Sequence, residues 1–366
     1  MEMANVGWVA GQPLTRRQFV KGVAAVGTLA AASSLGGCLL SKKEQLNVYN
    51  WSDYIGETTI KDFEREFGVK VNYDNYSSND ELLAKITTGA TGYDVIVPSD
   101  YAVQIFVKKE LLEPIDIDKI SNFNNIGEKF RTPPFDPGPP EAPYKYSIPY
   151  QWGTTGIGYN SAKVTDEVKG WGILWDAKYK DKITMLKEMR EVIGTTLKFL
   201  GYSANDTNPD HLQEVKAKLL EQKPLVKAYT TDTYMTLLAQ GDSWLSQGWS
   251  GDVYQVAADN EDIRYAIPED GTIIWMDNMA ILKDAPHKDL AHEFINYILR
   301  PEVSAGISNY VWYANPNVAS YEFTNAEIIN DPSIYPPQDV MARLEFLEEL
   351  GEYTQQMNQI WTEVLA

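Results

Sequence analysis

Aromatic and acidic side chains stand together where a short strand pattern ends. In the stretch NVYNWSDYIG, residues 47–56, Trp51 is followed by Asp53 and Tyr54 just before a predicted helix. A core strand has no need of a charge there, and an ordinary turn has no need of tryptophan. Aromatic faces attract cations, and a carboxylate adds a charge-assisted hydrogen bond. The combination therefore indicates a site for a positively charged nitrogen ligand.

The same mixture of side chains recurs near later turns and strand ends. Asp277 is the strongest single candidate, because an unpaired carboxylate inside an apolar strand is costly to bury. Trp249 and Trp275, taken singly, also fit packing in a core, and Glu188 with Glu191 also fits stabilisation of a helix start. The recurring candidates are Tyr101, Glu188, Glu191, Trp249, Asp252, Trp275, Asp277 and Tyr313.

Composition restricts the classes of function. The 366 residues carry a formal net charge of -19, which disfavours nucleic acid and anionic membrane surfaces as partners. With one cysteine and three histidines, the chain cannot form an internal disulfide, and a zinc site of the usual Cys/His kind is not expected. His287 and His292 are predicted to lie at the surface. The sequence contains no P-loop and no glycine fingerprint that would indicate catalysis. We expect no metal, no cofactor and no enzymatic activity.

The N-terminus reads as an export signal followed by an anchor. Arg16 and Arg17 precede an uncharged, Gly/Ala-rich apolar run, in a pattern that resembles a twin-arginine signal. The sequence LGGC, which ends at Cys38, resembles a bacterial lipobox. That resemblance implies a signal peptide over residues 1–37, lipidation of Cys38 and a tether over residues 38–45. An incidental cysteine with ordinary cleavage near Ala32 is the alternative.

The next segment predicts an α/β fold. Strand, helix, strand, helix and strand patterns alternate between residues 46 and 98, with Ser78 or Asn79 as a helix cap. Such alternation implies a mainly parallel sheet flanked by helices, and ligands bind beyond the carboxyl ends of its strands. The loop at Trp51 and the loop from Ser99 to Tyr101 should therefore meet at one crevice.

Later segments are predicted more coarsely. The sequence favours a proline-rich loop over residues 132–143 and a crossing between domains over residues 146–160. It favours helices near 191–201 and 210–223, a turn over 248–252, a strand over 271–282 and one amphipathic helix over 287–302.

Taken together, these motifs resemble the spermidine/putrescine-binding proteins of bacterial polyamine ABC transporters. The stretches that carry the resemblance are YNWSDYI, YDVIVPSDY, YSIPYQWG, MREV, WSG, GTIIWMDNMAIL and ANPN. It implies a two-lobed periplasmic binding protein with a hinged cleft. Lobe 1 would comprise residues 46–151 and 276–321, and lobe 2 residues 152–275 and 322–366.

The resemblance also implies a binding site, residue by residue. It implies an aromatic box of Trp51, Tyr54, Tyr101, Trp249, Trp275 and Tyr313. It implies that Glu188, Glu191 and Asp277 grip ammonium groups and that Ser52, Asp53 and Ser99 line one end. The chain departs from the family pattern at Glu188, where an aspartate is common, at Asp100, where an uncharged residue is frequent, and near Phe346 and Leu347, where close relatives place a polar residue. The longer Glu188 would shorten the usable slot.

The implied function is capture of a linear polyamine, spermidine or putrescine. The protein would be an exported, lipid-anchored monomer in the periplasm, and it would pass the ligand to a membrane permease with a cytoplasmic ATPase. Two other readings stay open. One is a ferric-ion or oligosaccharide receptor of the same fold. The other is a lipid-anchored glycoside hydrolase that uses Glu188 and Glu191.

Overall fold

In a computed structural model of the protein, the structure describes residues 43–89, 92–136 and 146–366. The predicted signal peptide, Cys38 and the predicted tether up to residue 42 lie outside these ranges, as do residues 137–145, which include the second half of the proline-rich loop. Within the described ranges, no helix combines the length and the apolar character needed to cross a membrane.

Ten strands form one connected sheet in the part of the chain that the structure describes. They are β1 (Gln45–Trp51), β2 (Lys70–Tyr76), β3 (Val95–Ile96), β4 (Ser147–Asn160), β5 (Ile183–Met185), β6 (Val226–Tyr229), β7 (Leu245–Trp249), β8 (Ile263–Ala266), β9 (Thr272–Ile281) and β10 (Leu344–Glu345).

Helices surround this sheet. The α-helices are α1 (Thr59–Phe67), α2 (Asn79–Thr87), α3 (Asp100–Lys108), α4 (Met189–Phe199), α5 (Pro209–Gln222), α6 (Tyr234–Ala239), α7 (Ser250–Asp259), α8 (Lys288–Ile298), α9 (Pro301–Val311), α10 (Ala326–Ile329), α11 (Gln338–Met341) and α12 (Tyr353–Leu365). Short 3₁₀ helices span Ile117–Lys119, Ser121–Asn125, Glu128–Phe130, Trp171–Trp175, Ala177–Tyr179, Lys223–Leu225 and Val318–Phe323.

The predicted alternation of strands and helices at the start of the described chain is confirmed. β1 pairs in parallel with β2 and with β3. Helix α1 ends at Gly68, whose φ of 71° is left-handed and favours glycine. Helix α2 begins at the predicted cap, because the Ser78 side chain accepts a hydrogen bond from the backbone N–H of Glu81. Turn chemistry thus delivers the ends of β1 and β3 to the same edge of the sheet.

The middle of the sheet is antiparallel. The strand order is β2-β1-β3-β9-β4-β7-β5-β6, with β10 on β9 and β8 on β4. Strand β9 runs antiparallel to both β3 and β4, and β4 runs antiparallel to β7 and β8. The fold is therefore α/β, as predicted, with a mixed sheet.

Two hydrophobic cores lie along this sheet. The first core collects buried side chains of β1–β3, β9, α1–α3, α8 and α9, and the second core those of β5, β7, α4–α7 and α12. Strand β4 contributes Trp152 to the first core and Ile157 to the second. Ile328 and Ile334, in a range predicted for lobe 2, pack in the first core. The residue ranges of the lobes stay a prediction.

Three local predictions are wrong. The helix expected over 287–302 is two helices, because Pro301 cannot continue α8 and instead opens α9. The turn expected at 248–252 is the direct junction of β7 with α7. His292 is buried rather than at the surface: its Nε2 accepts a hydrogen bond from the backbone N–H of Asp116 at 3.1 Å, and its Nδ1 lies 2.7 Å from the Lys288 carbonyl oxygen.

Candidate ligand-binding site

A cavity that opens to solvent lies where the two cores meet, and its empty space, open solvent included, is about 540 Å³. Eleven of the twelve predicted binding residues line it, and Asp53 does not. These eleven are Trp51, Ser52, Tyr54, Ser99, Tyr101, Glu188, Glu191, Trp249, Trp275, Asp277 and Tyr313. The other lining residues are Asn79, Asp100, Asp252 and Leu347.

Ends of strands and starts of helices bring these side chains together. Trp51 is the last residue of β1, and Trp249 is the last residue of β7. Tyr101 lies in the first turn of α3, and Glu191 in the first turn of α4. Side chains beyond strand ends and at helix starts point into the crevice, as expected for α/β sheets. Trp249 packs against both cores, so the cavity draws its walls from both.

Asp277 is held by a short polar relay. The Ser99 hydroxyl donates to Oδ1 of Asp277 at 2.5 Å, and Nδ2 of Asn79 donates to the Ser99 oxygen at 3.0 Å. Ser99 and Asp277 also form an isolated antiparallel backbone bridge. Because every member is buried, the relay fixes the orientation of the Asp277 carboxylate. The sequence offered only a weak signal for Asn79, its position at the start of α2.

Two glutamates at the start of α4 keep unpaired oxygens. The Tyr101 hydroxyl donates to Oε1 of Glu188 at 3.2 Å. Oε2 of Glu188 and Oε2 of Glu191 are buried without a hydrogen-bond partner among the described residues. Buried polar atoms are normally paired, so an unpaired carboxylate oxygen that lines a cavity points to a missing donor.

A fourth carboxylate, that of Asp252, accepts hydrogen bonds from two tyrosines. The Tyr313 hydroxyl donates to Oδ1 of Asp252 at 2.6 Å, and the Tyr234 hydroxyl donates to Oδ2 at 2.7 Å. The sequence pattern marked Asp252 as a candidate, and the resemblance did not include it. Its position in the first turn of α7 places it on the wall formed by the second core.

Aromatic rings form the remaining walls. Trp51 and Trp249 meet edge to face with ring centroids 5.8 Å apart. Tyr313 makes similar contacts at 5.2 Å with Tyr54 and at 5.2 Å with Trp275. The indole N–H of Trp51 donates to the Val97 carbonyl at 3.0 Å, which holds this ring in place. The result is a set of perpendicular faces, which suits alkyl chains and cations.

Burial makes the acidic groups of the cavity hard to ionise. It raises the pKa of Asp277 to about 7 against the opposing hydrogen bond from Ser99, and it raises the pKa of Glu191 to about 7. It raises the pKa of Asp252 to about 6 against the two tyrosine hydroxyls. Burial, followed by the negative charges of Asp80 and Glu191, raises the pKa of Glu188 well above its usual range.

Protein cations form no direct ion pair with these carboxylates in the part of the chain that the structure describes, although burial, which raises the pKa of Glu191, is opposed in part by the charge of Arg190. Among the described residues, Glu188, Glu191, Asp252 and Asp277 take part in no ion pair within 4.0 Å. The buried Arg190 guanidinium instead donates to the Glu348 carbonyl and to the side chain of Asn205. A cationic ligand would therefore supply the charge that the site lacks.

Asp53 and Leu347 differ from expectation. Asp53 is exposed, with a left-handed φ of 50°, and it lines an adjoining cavity together with Asp232. Leu347 is buried and lines the main cavity, at a place where the resemblance implies a polar side chain. An apolar residue in a tail carries no sequence signal for a binding site.

Two cores joined by a mixed sheet, with a cavity of aromatic and acidic walls between them, define the class of two-lobed periplasmic binding proteins. The chain belongs to the bacterial extracellular solute-binding protein family, whose model matches residues 58–336.

Individual members of this family with known names are similar to the chain over most of its length. The chain is 33% identical to a putrescine/cadaverine-binding protein of Pseudomonas aeruginosa, over 92% of this chain and 98% of the relative. Two of the similar solved structures are also ABC-transporter or lipoprotein relatives. One is the spermidine/putrescine ABC transporter substrate-binding protein PotD of Streptococcus pneumoniae, with 34% identity and a TM-score of 0.75 over 88% of this chain and 98% of that chain. The other is the TpPotD lipoprotein of Treponema pallidum, with 31% identity and a TM-score of 0.77 over 88% and 99%.

Proposed function

We propose that this chain binds a linear polyamine, putrescine or spermidine, in the cavity between its two cores. The observation that carries the proposal is the set of buried carboxylates without a cation partner, enclosed by aromatic rings. Carboxylates set the positions of ammonium groups, and the ring faces accommodate the methylene segments between them. The names of the relatives support the same chemical class.

The mechanism is capture by closure, without a bond-making step. In this proposal the two lobes, with the ranges predicted from the sequence, are hinged, and the closed form is favoured because only it places walls from both cores around the ligand. The closed protein, as a monomer, then presents the ligand to a membrane permease that is driven by a cytoplasmic ATPase. Trp51, Ser52, Tyr54, Ser99, Tyr101, Glu188, Glu191, Trp249, Trp275, Asp277 and Tyr313 form the proposed site, with Asp53 at its outer rim.

Export and anchoring belong to the same proposal. The twin-arginine-like signal would direct the chain across the cytoplasmic membrane, and lipidation of Cys38 would hold it on the outer face. The solved lipoprotein relative supports this arrangement. Labelling of the wild-type chain with radioactive palmitate, and no labelling of Cys38→Ser, is the expected result. Equal labelling of both would refute the anchor and leave the binding proposal intact.

Calorimetric titration tests the binding proposal directly. The purified chain in nonionic detergent is unfolded in guanidinium chloride, dialysed and refolded, so that any copurified polyamine is removed. Putrescine, cadaverine, spermidine and spermine are then titrated in parallel, with ferric nitrilotriacetate and maltotriose as the alternatives of the same fold. Saturable one-site heat from a polyamine alone is expected. Heat only from the ferric complex or the sugar would replace the polyamine proposal.

A further inference from the structure

Asp100 is a fully buried carboxylate at the first position of α3. Its Oδ1 accepts a hydrogen bond from the backbone N–H of Tyr101 at 2.7 Å. Its Oδ2 accepts one from the backbone N–H of Met276 at 3.1 Å. A single side chain thus connects the start of α3 to the middle of β9.

The connection falls between two walls of the cavity. Met276 stands between Trp275 and Asp277 on β9, and alternate residues of a strand share one face. Both neighbours line the cavity, whereas Met276 does not. On the other side of the connection, Asp100 stands between Ser99 and Tyr101, which also line the cavity. Asp100 therefore fixes one pair of cavity residues relative to the other pair.

The start of α3 explains why this role falls to Asp100. Ser99 occupies the N-cap position, but its side chain makes no capping hydrogen bond; its oxygen accepts the Asn79 side-chain amide and its hydroxyl donates to Asp277. The carboxylate of the next residue accepts the nearby backbone N–H of Tyr101 instead, at a helix end that favours negative charge. The serine is thereby left free to hold Asp277.

The geometry also separates Asp100 from the ammonium-binding carboxylates. Both of its oxygens accept backbone N–H groups, whereas Glu188 and Glu191 each keep a buried oxygen unpaired. Burial raises the pKa of Asp100, and the two backbone hydrogen bonds oppose that rise. Asp100 itself lines the cavity, but both of its oxygens are held by backbone N–H groups, so its effect on a ligand passes through the residues that it places.

We propose that Asp100 is a positioning residue for polyamine binding, which rests on the proposed function. It holds Trp275 and Asp277 at the separation from Ser99 and Tyr101 that the ligand requires.

A double-mutant cycle tests the proposal, with putrescine and spermidine titrated into the refolded full chain in detergent. Asp100→Ser should weaken both ligands by about tenfold, and Asp100→Asn, which keeps one acceptor oxygen, by about threefold. In the Asp277→Asn background, Asp100→Ser should cost about threefold or less, because the carboxylate that it positions is already gone. The same tenfold loss in both backgrounds would show that Asp100 acts independently of Asp277 and would overturn the proposal.

Asp94 provides a matched control. It is also fully buried and also accepts two backbone N–H groups, from Asn47 at 2.8 Å and from His287 at 2.7 Å, but it does not line the cavity. Asp94→Asn should lower the thermal midpoint and leave polyamine affinity within about twofold. An equal loss of affinity in Asp94→Asn would mean that any damage to the first core weakens binding, which would contradict a specific role.

Two further outcomes, a folding defect of the Asp100 variants and a failure of the proposed function itself, can be told apart. If Asp100→Asn and Asp100→Ser both fail to fold by circular dichroism while Asp94→Asn folds, Asp100 is a stability element and the positioning role is wrong. If the unsubstituted chain binds no polyamine, the proposed function itself fails, and this is seen before any variant is compared.

Discussion

The Ser99 hydroxyl and the Asp277 carboxylate lie 2.5 Å apart although 178 positions separate them in the chain. This contact joins the residue before α3 to the strand β9, and it orients a buried acid beside Trp275. A charge so deeply buried needs an attractive partner, since the serine alone returns only part of the lost solvation.

Removing this charge should weaken binding strongly. For Asp277→Asn we expect a loss of about 2–4 kcal/mol in the binding free energy of putrescine, because one ammonium group would lose its charged partner inside a dry cavity. Titration calorimetry of the refolded protein measures it. Asp259→Asn, which removes an exposed charge at the end of α7, should change nothing measurable. Unchanged affinity in Asp277→Asn would remove Asp277 from the site.

Removing the Trp275 ring, a wall of the cavity that every polyamine would contact, should lower the affinity for all polyamines to a similar extent. Trp275→Ala removes a ring that contacts Tyr313 and lines the cavity, so putrescine, cadaverine and spermidine should each bind about tenfold more weakly. The control is Trp244→Ala, since Trp244 is half-buried on the second core and outside the cavity. A selective loss of one ligand would place Trp275 at one end of the slot instead of along it.

Polyamine affinity should rise with pH. The raised pKa values, about 7 for Asp277 and Glu191 and about 6 for Asp252, mean that these acids are partly protonated at pH 6 in the free protein. Ammonium groups stay charged below pH 8 and bind the carboxylate form. Affinity should therefore increase about tenfold or more from pH 5.5 to 8, with protons released on binding. Titrations in buffers of different ionisation enthalpy detect that release, and pH-independent affinity would contradict it.

The folding stability of the ligand-free protein should fall as pH rises, opposite to the trend in affinity. An acid whose pKa is higher in the folded state than in the unfolded chain favours folding at low pH. For Asp277, with values of about 7 and 3.8 in the two states, this contribution is fully present below pH 3.8 and is lost as pH rises through about 7. Across pH 5 to 8, the thermal midpoint should fall by a few degrees more in the wild type than in Asp277→Asn. Saturating putrescine should remove that difference.

The parts of the fold with strong local signals were predictable from sequence. Alternation, helical spacing and caps predict β1, α1, β2 and α2. The same pattern predicts that the loops at Trp51 and Ser99 lie at one crevice, and both residues line the cavity. Long-range partners were not predictable: nothing in the local sequence around Asp252 indicates that Tyr313 and Tyr234 bind it. Leu347 lines the cavity because of the course that the C-terminal segment takes in the folded protein. Tertiary packing, which periodicity does not encode, decides such contacts.

Glu188 should limit the length of the ligand. Its carboxylate accepts a hydrogen bond from the Tyr101 hydroxyl at 3.2 Å and lines the cavity, and its side chain is one methylene longer than the aspartate that the resemblance implies at this position. Glu188→Asp would withdraw the carboxylate and lengthen the slot. We expect the affinity ratio of spermidine to putrescine to rise by about threefold or more, because one methylene in a fitted pocket discriminates ligands by at least that factor.

A matched tyrosine–glutamate pair outside the cavity provides the control for Glu188→Asp. The Tyr202 hydroxyl donates to Oε2 of Glu214 at 3.0 Å on an exposed surface, so Glu214→Asp shortens a similar contact without touching the site. Its affinity ratio should equal that of the wild type. Competition titrations of both variants with putrescine and spermidine decide the matter. If Glu188→Asp weakens both ligands equally, Glu188 binds an ammonium group common to them, and the length of the slot is set elsewhere in the cavity.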